Sequence, residues 1–417
     1  MNEFAVATFG VLVSLVIFQA LPALNFVSLF RSPTEGTMQS DSLPKAAVVL
    51  CLRGADPFLT DCVHALLNQN YPQYHVQIVV DSLEDPAWKI VNDVIGRSPA
   101  THVQVCPLRV RHETCSLKGS ALVQAISELD DDYEVVALLD ADVITHPDWL
   151  RELVAPLADE GVGATTGNRW YAPPTARWGS LVRYIWNAGA VVTMYIYTYA
   201  WGGSMAMKLS VLRRSRLLEK WKQAVSVDTL ILTVLQEIGL KVKFVPTVMM
   251  SNREDCDLAR CFGFIKRQFL VTWLYNPKRM LVAVHVFITT LALVLAILVL
   301  LIALVSGNFG AAALVGGGFI GYILAMGLIL AFLEQGVRRV GGTRGDPTTR
   351  FSTLVIAKML VSIPLTQLVC AVAMISAILA RSVEWRGITY QIKGAWNVQL
   401  INYRPFSSRS GDTNTSV

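Results

Sequence analysis

The 417-residue chain is strongly apolar, with 53% hydrophobic residues, 16% charged residues, a formal net charge of +5 and a mean hydropathy of +0.45. These values exclude an ordinary soluble enzyme and predict membrane-spanning segments. The seven cysteines are scattered without a CxxC pair, so the sequence predicts neither a disulfide framework nor a zinc site.

Four apolar runs reach the length of roughly 20 residues that a bilayer span requires. They cover residues 4–30, 280–306, 309–333 and 351–380. The first run has no basic segment before it and no small-residue cleavage site, so a retained anchor is favoured over a signal peptide. We therefore expect an N-terminal transmembrane anchor over residues 1–31 and about three spans over residues 280–380.

The basic residues indicate the orientation of these spans. They are concentrated after the first run, before the second and after the third: Arg31, Lys45, Lys278, Arg279, Arg338, Arg339, Arg344 and Arg350. The positive-inside rule then predicts that residues 31–279 and 334–350 are cytoplasmic. Strict alternation would put the tail, residues 381–417, outside, whereas Arg381, Arg386 and Lys393 favour the inside. A re-entrant or interfacial portion of residues 351–380 would reconcile the two.

Between the membrane segments, residues 45–260 have the pattern of an α/β domain. Apolar runs predict strands, and amphipathic runs between them predict helices: strands at 46–52, 76–80, 103–108 and 135–139, helices at 56–68 and 116–129. This alternation predicts a largely parallel sheet, whose ligands bind at the carboxyl ends of the strands. Arg53, Asp81 and Asp140 stand at such ends. The linker 32–43 is polar.

Asp140 and Asp142 carry the clearest chemistry in this domain. They follow the apolar run Val135–Leu139, which has the length of a strand buried on both faces. Two carboxylates at the end of a buried strand are costly unless a cation neutralises them. Magnesium and manganese, which leave coordination positions open for substrate phosphates, bind one or two carboxylates in this way. The alternative is a solvated turn at the end of the strand.

Further motifs occur in a fixed order along the chain: Leu52–Pro57, Gln69–Pro72, Val79–Asp81, Asp140–Asp142, Thr166–Tyr171, Trp201–Ser204 and Asp228. With them the chain resembles the membrane-bound glycosyltransferases of family 2, both the ceramide glucosyltransferase type and the processive polysaccharide synthases. The short chain and the few spans are closer to the ceramide type. The resemblance implies an α/β GT-A fold, Rossmann-like with a mostly parallel sheet, a UDP-sugar donor and a Mn²⁺ or Mg²⁺ cofactor.

The resemblance also implies which residues bind the donor. Asp142 would be a metal ligand, and Asp140 would contact the metal or the nucleotide. Asp81 matches the position that bonds the uracil, and Lys118 and Arg53 match positions near the donor. The structural alternatives are a helix cap for Asp81 and a solvated helix residue for Lys118.

Asp228 stands where the resemblance implies the base that accepts the proton of the acceptor hydroxyl. The family usually has a second acid just before it, and this chain has Val227 there. The structural alternative is that Asp228 caps a helix over residues 230–238. Trp201, Gly202, Gly203 and Ser204 are the expected acceptor contacts, because glycines let backbone approach a substrate closely. The apolar stretch 181–200 before them is predicted as an interfacial or buried helix.

A second departure from the family lies in residues 262–273. The synthases carry Gln/Arg-x-x-Arg-Trp here, whereas this chain has Arg267, Gln268 and Trp273 at a different spacing. The resemblance implies that Arg267 contacts the donor diphosphate and that Trp273 braces the acceptor. An amphipathic interface helix over residues 261–279 is the alternative, and it is compatible with that role. The acidic segment 254–257 is expected to be a solvated loop.

The sequence therefore predicts an inverting hexosyltransferase that moves a sugar, most often glucose in the ceramide type, from a UDP-sugar to a membrane lipid at the cytoplasmic face. A processive polysaccharide synthase is the alternative, and a catalytically inactive nucleotide-binding membrane sensor is another. A channel or transporter is disfavoured because the apolar runs hold almost no ionisable residues. The aromatic and basic residues 384–390 are expected at the lipid headgroups, and the tail after Pro405 is expected to be disordered.

Overall fold

The computed structural model describes residues 1–30, 43–342 and 352–406. Most of the predicted linker and the end of the predicted disordered tail lie outside these residues. Three groups of elements make up the described chain: an α/β domain, a set of long apolar helices, and a small sheet after the last of these helices.

The α/β domain is built on strands β1 to β9, which are Ala46–Leu52, Tyr74–Val80, Val103–Pro107, Val135–Leu139, Val162–Thr166, Arg169–Tyr171, Ser204–Lys208, Lys241–Phe244 and Met250–Asn252. Seven of them form one sheet in the order β3-β2-β1-β4-β7-β5-β8, and β6 pairs with β9 separately. Strands β1 to β4 are parallel, whereas β7 is antiparallel to both β4 and β5. The predicted α/β fold with a mostly parallel sheet is confirmed, with one reversed strand that the sequence pattern did not indicate.

Seven short helices belong to this domain: α2 (Leu59–Leu67), α3 (Pro86–Ile95), α4 (Leu117–Ser127), α5 (Trp149–Val154), α7 (Leu209–Arg214), α8 (Leu217–Trp221) and α9 (Ile231–Gln236). Side-chain caps fix where two of them begin. Ser116 accepts a hydrogen bond from the Gly119 N–H at the start of α4, and Asp85 accepts one from the Ala87 N–H at the start of α3. Helix α3 follows β2 along the chain, and α4 follows β3.

Six long helices complete the chain: α1 (Asn2–Ser28), α6 (Trp178–Tyr197), α10 (Leu258–Tyr275), α11 (Arg279–Val305), α12 (Phe309–Gly342) and α13 (Thr353–Ile378). Four of them, α1, α11, α12 and α13, are long and apolar enough to cross a membrane. Glycines of α12 allow close packing on α1, since Gly318 lies against Phe9 and Gly336 against Val27. Helix α6 covers most of the stretch that was predicted as an interfacial or buried helix.

Helix α13 differs from the other three apolar helices because both of its ends lie against the α/β domain. Near its start, the Lys358 ammonium donates to the Ala176 carbonyl. Near its end, Met374 and Ala377 join the same core as Cys261 of α10 and Leu117 of α4. This arrangement favours the interfacial alternative for residues 351–380 and leaves the following residues on the side of the catalytic domain.

Residues 384–390, which are expected at the lipid headgroups, belong to a sheet packed on the α/β domain and not to a tail. Residues 382–403 form an antiparallel sheet of β10 (Ser382–Trp385), β11 (Ile388–Gly394) and β12 (Asn397–Tyr403). Every second residue of β11 is buried, namely Ile388, Tyr390 and Ile392, which is the period of a strand covered on one face. The Tyr390 hydroxyl accepts a hydrogen bond from the Leu117 N–H, so this sheet is attached to the α/β domain.

The prediction that the acidic segment 254–257 is a solvated loop is wrong. Glu254 is buried and forms an ion pair with the buried Arg183. Asp255 accepts a hydrogen bond from Ser180, and Asp257 caps α10. The segment connects α6 to α10, because Arg183 and Ser180 lie on α6 and Asp257 caps α10.

Glu334 connects α12 to the α/β domain, and its replacement should lower stability. Its carboxylate accepts hydrogen bonds from Trp170 Nε1 at 2.7 Å, from the Tyr184 hydroxyl at 2.8 Å and from Arg338 Nε at 2.7 Å. Glu334→Ala leaves two buried donors without their acceptor, so we expect it to lower the free energy of unfolding by about 2–4 kcal/mol. Thermal unfolding in detergent measures this, with Glu334→Gln and the exposed Glu3→Ala as milder controls. Equal melting temperatures for Glu334→Ala and the wild type would contradict it.

Candidate active site

A cavity of about 1390 Å³ opens at the carboxyl ends of β1, β2 and β4. Ten acidic or basic side chains line it: Arg53, Asp56, Asp81, Lys118, Asp140, Asp142, Arg169, Asp228, Arg267 and Arg386. The same cavity continues between α1, α6, α11, α12 and α13, where most lining side chains are apolar and a few, such as Gln19 and Gln367, are polar. The predicted donor-site residues, the predicted base and the apolar helices therefore share one space.

Eight of these ten charged side chains form four ion pairs with one another. The pairs are Arg53 with Asp81, Lys118 with Asp140, Arg169 with Asp142, and Arg386 with Asp56. Among the charged residues described around the cavity, this leaves one cation and one carboxylate, Arg267 and Asp228, outside these pairs. Both side chains are half-buried, and a partly buried charge without a counter-charge is costly, so these two positions are candidates for contacts with a ligand.

Asp140 and Asp142 differ in their electrostatic surroundings. Burial would raise the pKa of Asp140, but the charge and hydrogen bond of Lys118, together with Arg169 and Arg386, lower it overall. Burial raises the pKa of Asp142 and outweighs the opposing effect of Arg169. The buried Oδ1 atom of Asp142 has no hydrogen-bond partner among the described residues.

These two carboxylates fit a divalent cation that also binds a ligand. Within the described ranges, no group of three or more His, Cys, Asp or Glu side chains could enclose a metal ion. A cation held by Asp140 and Asp142 would therefore keep positions for other oxygen atoms, as magnesium does in phosphate sites. The unbonded Asp142 Oδ1 is the atom that most needs such a partner.

Asp228 is held in place by four donors. Its Oδ2 accepts from the Gly202 N–H at 2.9 Å, and its Oδ1 accepts from the Ser226 hydroxyl and the Thr229 N–H, each at 2.8 Å, and from the Thr229 hydroxyl at 3.4 Å. Asp228 is not the cap of the next helix, because α9 begins at Ile231, its cap position is Leu230, and no side chain caps it. Val227, in the place of the second acid, is buried in the core of the domain.

The four residues of the expected acceptor motif have different positions. Trp201 lines the cavity, and its ring lies 5.3 Å from the Arg169 guanidinium. A Cβ atom on Gly203 would lie 2.6 Å from Asp140 Oδ2 and closer still to the Trp201 ring, so this position requires glycine. Ser204 is fully buried in β7 and accepts a hydrogen bond from Trp149 Nε1. Gly202 and Gly203 thus position acidic side chains, and Ser204 belongs to the core.

Asp81 is buried and surrounded by three polar partners. Arg53 forms an ion pair with it, the Tyr403 hydroxyl donates to it at 3.0 Å, and Arg111 Nε lies 3.6 Å from its Oδ1. It does not cap α3, because Asp85 does. Lys118 is not a solvated helix residue, since its ammonium donates to Asp140 and to the Gly202 carbonyl.

Arg267 lies on α10 with aromatic rings on two sides. Its guanidinium is 5.6 Å from the Phe264 ring and 5.1 Å from the Trp385 ring. Burial, together with the charges of Arg386 and Arg169, lowers its pKa to about 10, so it keeps its charge at neutral pH.

Trp273 is not among the residues that line the cavity. The Arg279 guanidinium lies over its ring, at the start of the apolar helix α11. Trp385 and Arg386 line the cavity and were missed, because residues 381–417 were treated as a tail. The alternation of apolar residues in Ile388–Ile392 after a glycine was the pattern that could have identified a hairpin there.

Three comparisons relate the chain to known proteins. The ceramide glucosyltransferase of Pyricularia oryzae is 30% identical over 102 residues, which are 22% of this chain and 20% of that protein. A hyaluronan synthase of Streptococcus pyogenes serotype M3 is 26% identical over 169 residues, or 40% and 39% of the two chains. The matched regions thus span less than half the length of either relative.

Among solved structures, the mannosyltransferase PcManGT from Pyrobaculum calidifontis, in complex with GDP-Man and Mn²⁺, has a TM-score of 0.49 at 14% identity. The match covers 91% of this chain and 99% of that one. The model of glycosyl transferase family 21 matches residues 7–397, which include the α/β domain, the apolar helices and most of the C-terminal sheet. The chain belongs to glycosyl transferase family 21.

Proposed function

We propose that the protein transfers one sugar from a UDP-sugar to the hydroxyl group of a membrane lipid, with inversion at the sugar. The observation that carries this proposal is the continuity of the cavity. Its charged end holds Asp140, Asp142, Asp228 and Arg267, and its other end lies among the apolar helices. A lipid in that space would bring its polar end to the charged residues while its chains stay among apolar side chains.

The apolar part of the cavity fits a lipid better than a growing polysaccharide. Most of its lining side chains are apolar, although Gln19 of α1 and Gln367 of α13 are polar. The apolar ones include Val11, Leu15 and Phe18 of α1, Val192 and Ile196 of α6, Val284 and Ile288 of α11, Met326 and Ile329 of α12, and Ile363 of α13. Burying apolar surface against such side chains contributes about 25 cal/mol per Å². A polysaccharide would instead require polar and aromatic side chains along its path. This difference supports the lipid acceptor over the processive alternative.

In the proposed reaction, Asp228 is the general base. As the acceptor oxygen bonds to the anomeric carbon of the sugar, its proton passes to Asp228, and the bond from that carbon to the diphosphate breaks. The hydrogen bonds from Gly202, Ser226 and Thr229 fix the direction in which the carboxylate points. A base oriented in this way typically contributes 10²- to 10⁴-fold to the rate.

The negative charge of the leaving diphosphate needs cations, and the described cavity offers them. Arg267 is the cation without a carboxylate partner among the lining residues. Asp140 and Asp142 would hold Mn²⁺ or Mg²⁺, which supplies charge neutralisation to the diphosphate. Glucose is the sugar that the resemblance to ceramide glucosyltransferases suggests. The basic residues Lys278, Arg279 and Arg338, at the helix ends near the α/β domain, support a cytoplasmic active site.

The first prediction for this function concerns the metal. Chelation should abolish transfer from the UDP-sugar, and Mn²⁺ or Mg²⁺ should restore it, because Asp142 Oδ1 has no hydrogen-bond partner among the described residues and can bind a cation. Asp142→Asn should lose activity while the protein still unfolds in one cooperative thermal transition, at a lower temperature because Arg169 loses its partner. Asp131→Asn, whose side chain is 91% exposed, should keep its activity. Full turnover in excess chelator would refute the metal assignment.

The second prediction concerns the base. Asp228→Asn keeps the shape of the side chain but cannot accept the proton, so transfer should fall by roughly 10²- to 10⁴-fold. UDP binding, measured by calorimetry, should stay the same. The exposed Asp61→Asn is the control. If UDP affinity falls and the rate at saturation does not, Asp228 belongs to the binding site and is not the base.

The third prediction concerns the apolar part of the cavity. Gly189 of α6 lines it, and a Cβ atom there would meet open space, so Gly189→Phe can occupy the lipid space without a backbone clash. We expect a higher KM for the lipid acceptor and unchanged hydrolysis of the UDP-sugar by water. Gly263→Phe on α10 also meets open space but is not among the lining residues, and serves as the matched control.

The product that the protein forms from a labelled donor decides between a lipid acceptor and a growing polysaccharide. Purified protein is incubated in detergent with labelled UDP-glucose and a lipid extract, and the label is separated by organic extraction. We expect the label in an organic-soluble glycolipid. Label in a water-soluble polymer of high mass would overturn the lipid proposal and support the processive alternative.

A further inference from the structure

The turn between β10 and β11 has an unusual residue at its tip. Trp385 pairs with Ile388, so Arg386 and Gly387 alone connect the two strands. Both have positive φ, 49° for Arg386 and 75° for Gly387, as in a type I′ turn. Asn, Asp or Gly is favoured at the first of these positions, and a long side chain there costs free energy. An arginine in this conformation suggests that its side chain has a role beyond the turn.

The Arg386 side chain points into the charged end of the cavity. Its guanidinium donates to Asp56 Oδ1 at 2.6 Å and to the Arg53 carbonyl, and Arg53 Nε donates back to the Arg386 carbonyl at 3.0 Å. These reciprocal contacts fix the hairpin tip to the end of β1. Asp140 and Asp142, the carboxylates proposed to hold the metal, line the same cavity as Arg386.

Trp385, the residue before the tip, has an unused hydrogen-bond donor. Its Nε1–H is buried and has no partner among the described residues, and the residue lines the cavity. Its ring lies 5.1 Å from the guanidinium of Arg267, the lining cation outside the four ion pairs. The buried Trp385 N–H needs an acceptor, and the half-buried Arg267 guanidinium has no carboxylate partner among the lining residues. One phosphate group has several oxygen atoms and can accept hydrogen bonds from both side chains.

We infer that Trp385 and Arg386 are donor-binding residues, and that together with Arg267 they form the site for the diphosphate of the nucleotide. This inference rests on the proposed function and adds two residues to it. The diphosphate accepts from Trp385 Nε1–H and from the guanidinium groups of Arg267 and Arg386. The C-terminal sheet thus contributes directly to the active site.

The test compares variants of the full-length protein in detergent with Mn²⁺, using UDP and uridine as probes in calorimetry. Arg386→Asn suits the positive φ and removes the guanidinium. We expect the Kd for UDP to rise by roughly 10- to 100-fold, because a hydrogen bond to a charged group is lost. Trp385→Phe keeps a ring but loses the N–H, so a rise of roughly 3- to 10-fold is expected. The Kd for uridine, which has no phosphate, should stay the same in both.

The controls separate binding from folding. Arg381→Asn and Trp396→Phe change exposed residues in and next to the same C-terminal sheet and should bind UDP like the wild type. Arg386→Asn combined with Asp56→Asn removes both members of the buried ion pair, so it should restore any lost melting temperature and still bind UDP weakly.

Four results would overturn the inference. Unchanged UDP affinity in both variants shows that neither residue contacts the diphosphate. An equal loss of UDP and uridine affinity, or recovery of UDP binding in the double variant, shows a structural role. A wild-type protein that binds neither probe overturns the proposed function and this inference with it.

Discussion

The pairing of buried charges is the constraint on which the active site depends. Ten acidic or basic side chains line one cavity, and eight of them neutralise each other in four pairs. Isolated charges could not remain ionised in such surroundings, since burial alone would neutralise them. The pairs offset part of the free-energy cost of burying these charges.

Distant parts of the chain contribute to this charge arrangement. The parallel strands end in Arg53, Asp81 and Asp140, because the carboxyl ends of such strands meet at one edge. The reversed strand β7 pairs with β4 and brings Gly202 and Gly203 beside Asp228 and Asp140. Helix α10 supplies Arg267, and the hairpin from β10 to β11 supplies Arg386.

The sequence predicted the parallel half of the sheet well and the other half poorly, for a physical reason. Strand Val135–Leu139 is a continuous apolar run that is buried on both faces, and its bounds were predicted without error. Strand β7, Ser204–Lys208, contains a serine and a lysine, and only its neighbours in the sheet make it a strand. Similarly, Asp228 could be placed by a motif, but its hydrogen bond to Gly202 depends on a contact across 26 residues. Local patterns do not encode such contacts.

Helix α13 and the sheet after it also show that local sequence patterns do not encode contacts between distant residues. Hydropathy identifies α13 as long and apolar enough to span a bilayer, yet both of its ends lie against the α/β domain. If α13 crossed the membrane, the next strands would be on the opposite side, and Arg386 could not reach Asp56 at 2.6 Å. The ion pair and the hairpin therefore require that α13 begins and ends on one side. An interfacial α13 also forms part of the cavity wall between the charged residues and the apolar helices. Under the proposed function, a lipid acceptor that enters from the bilayer would then reach Asp228 by lateral movement, without a channel through the membrane.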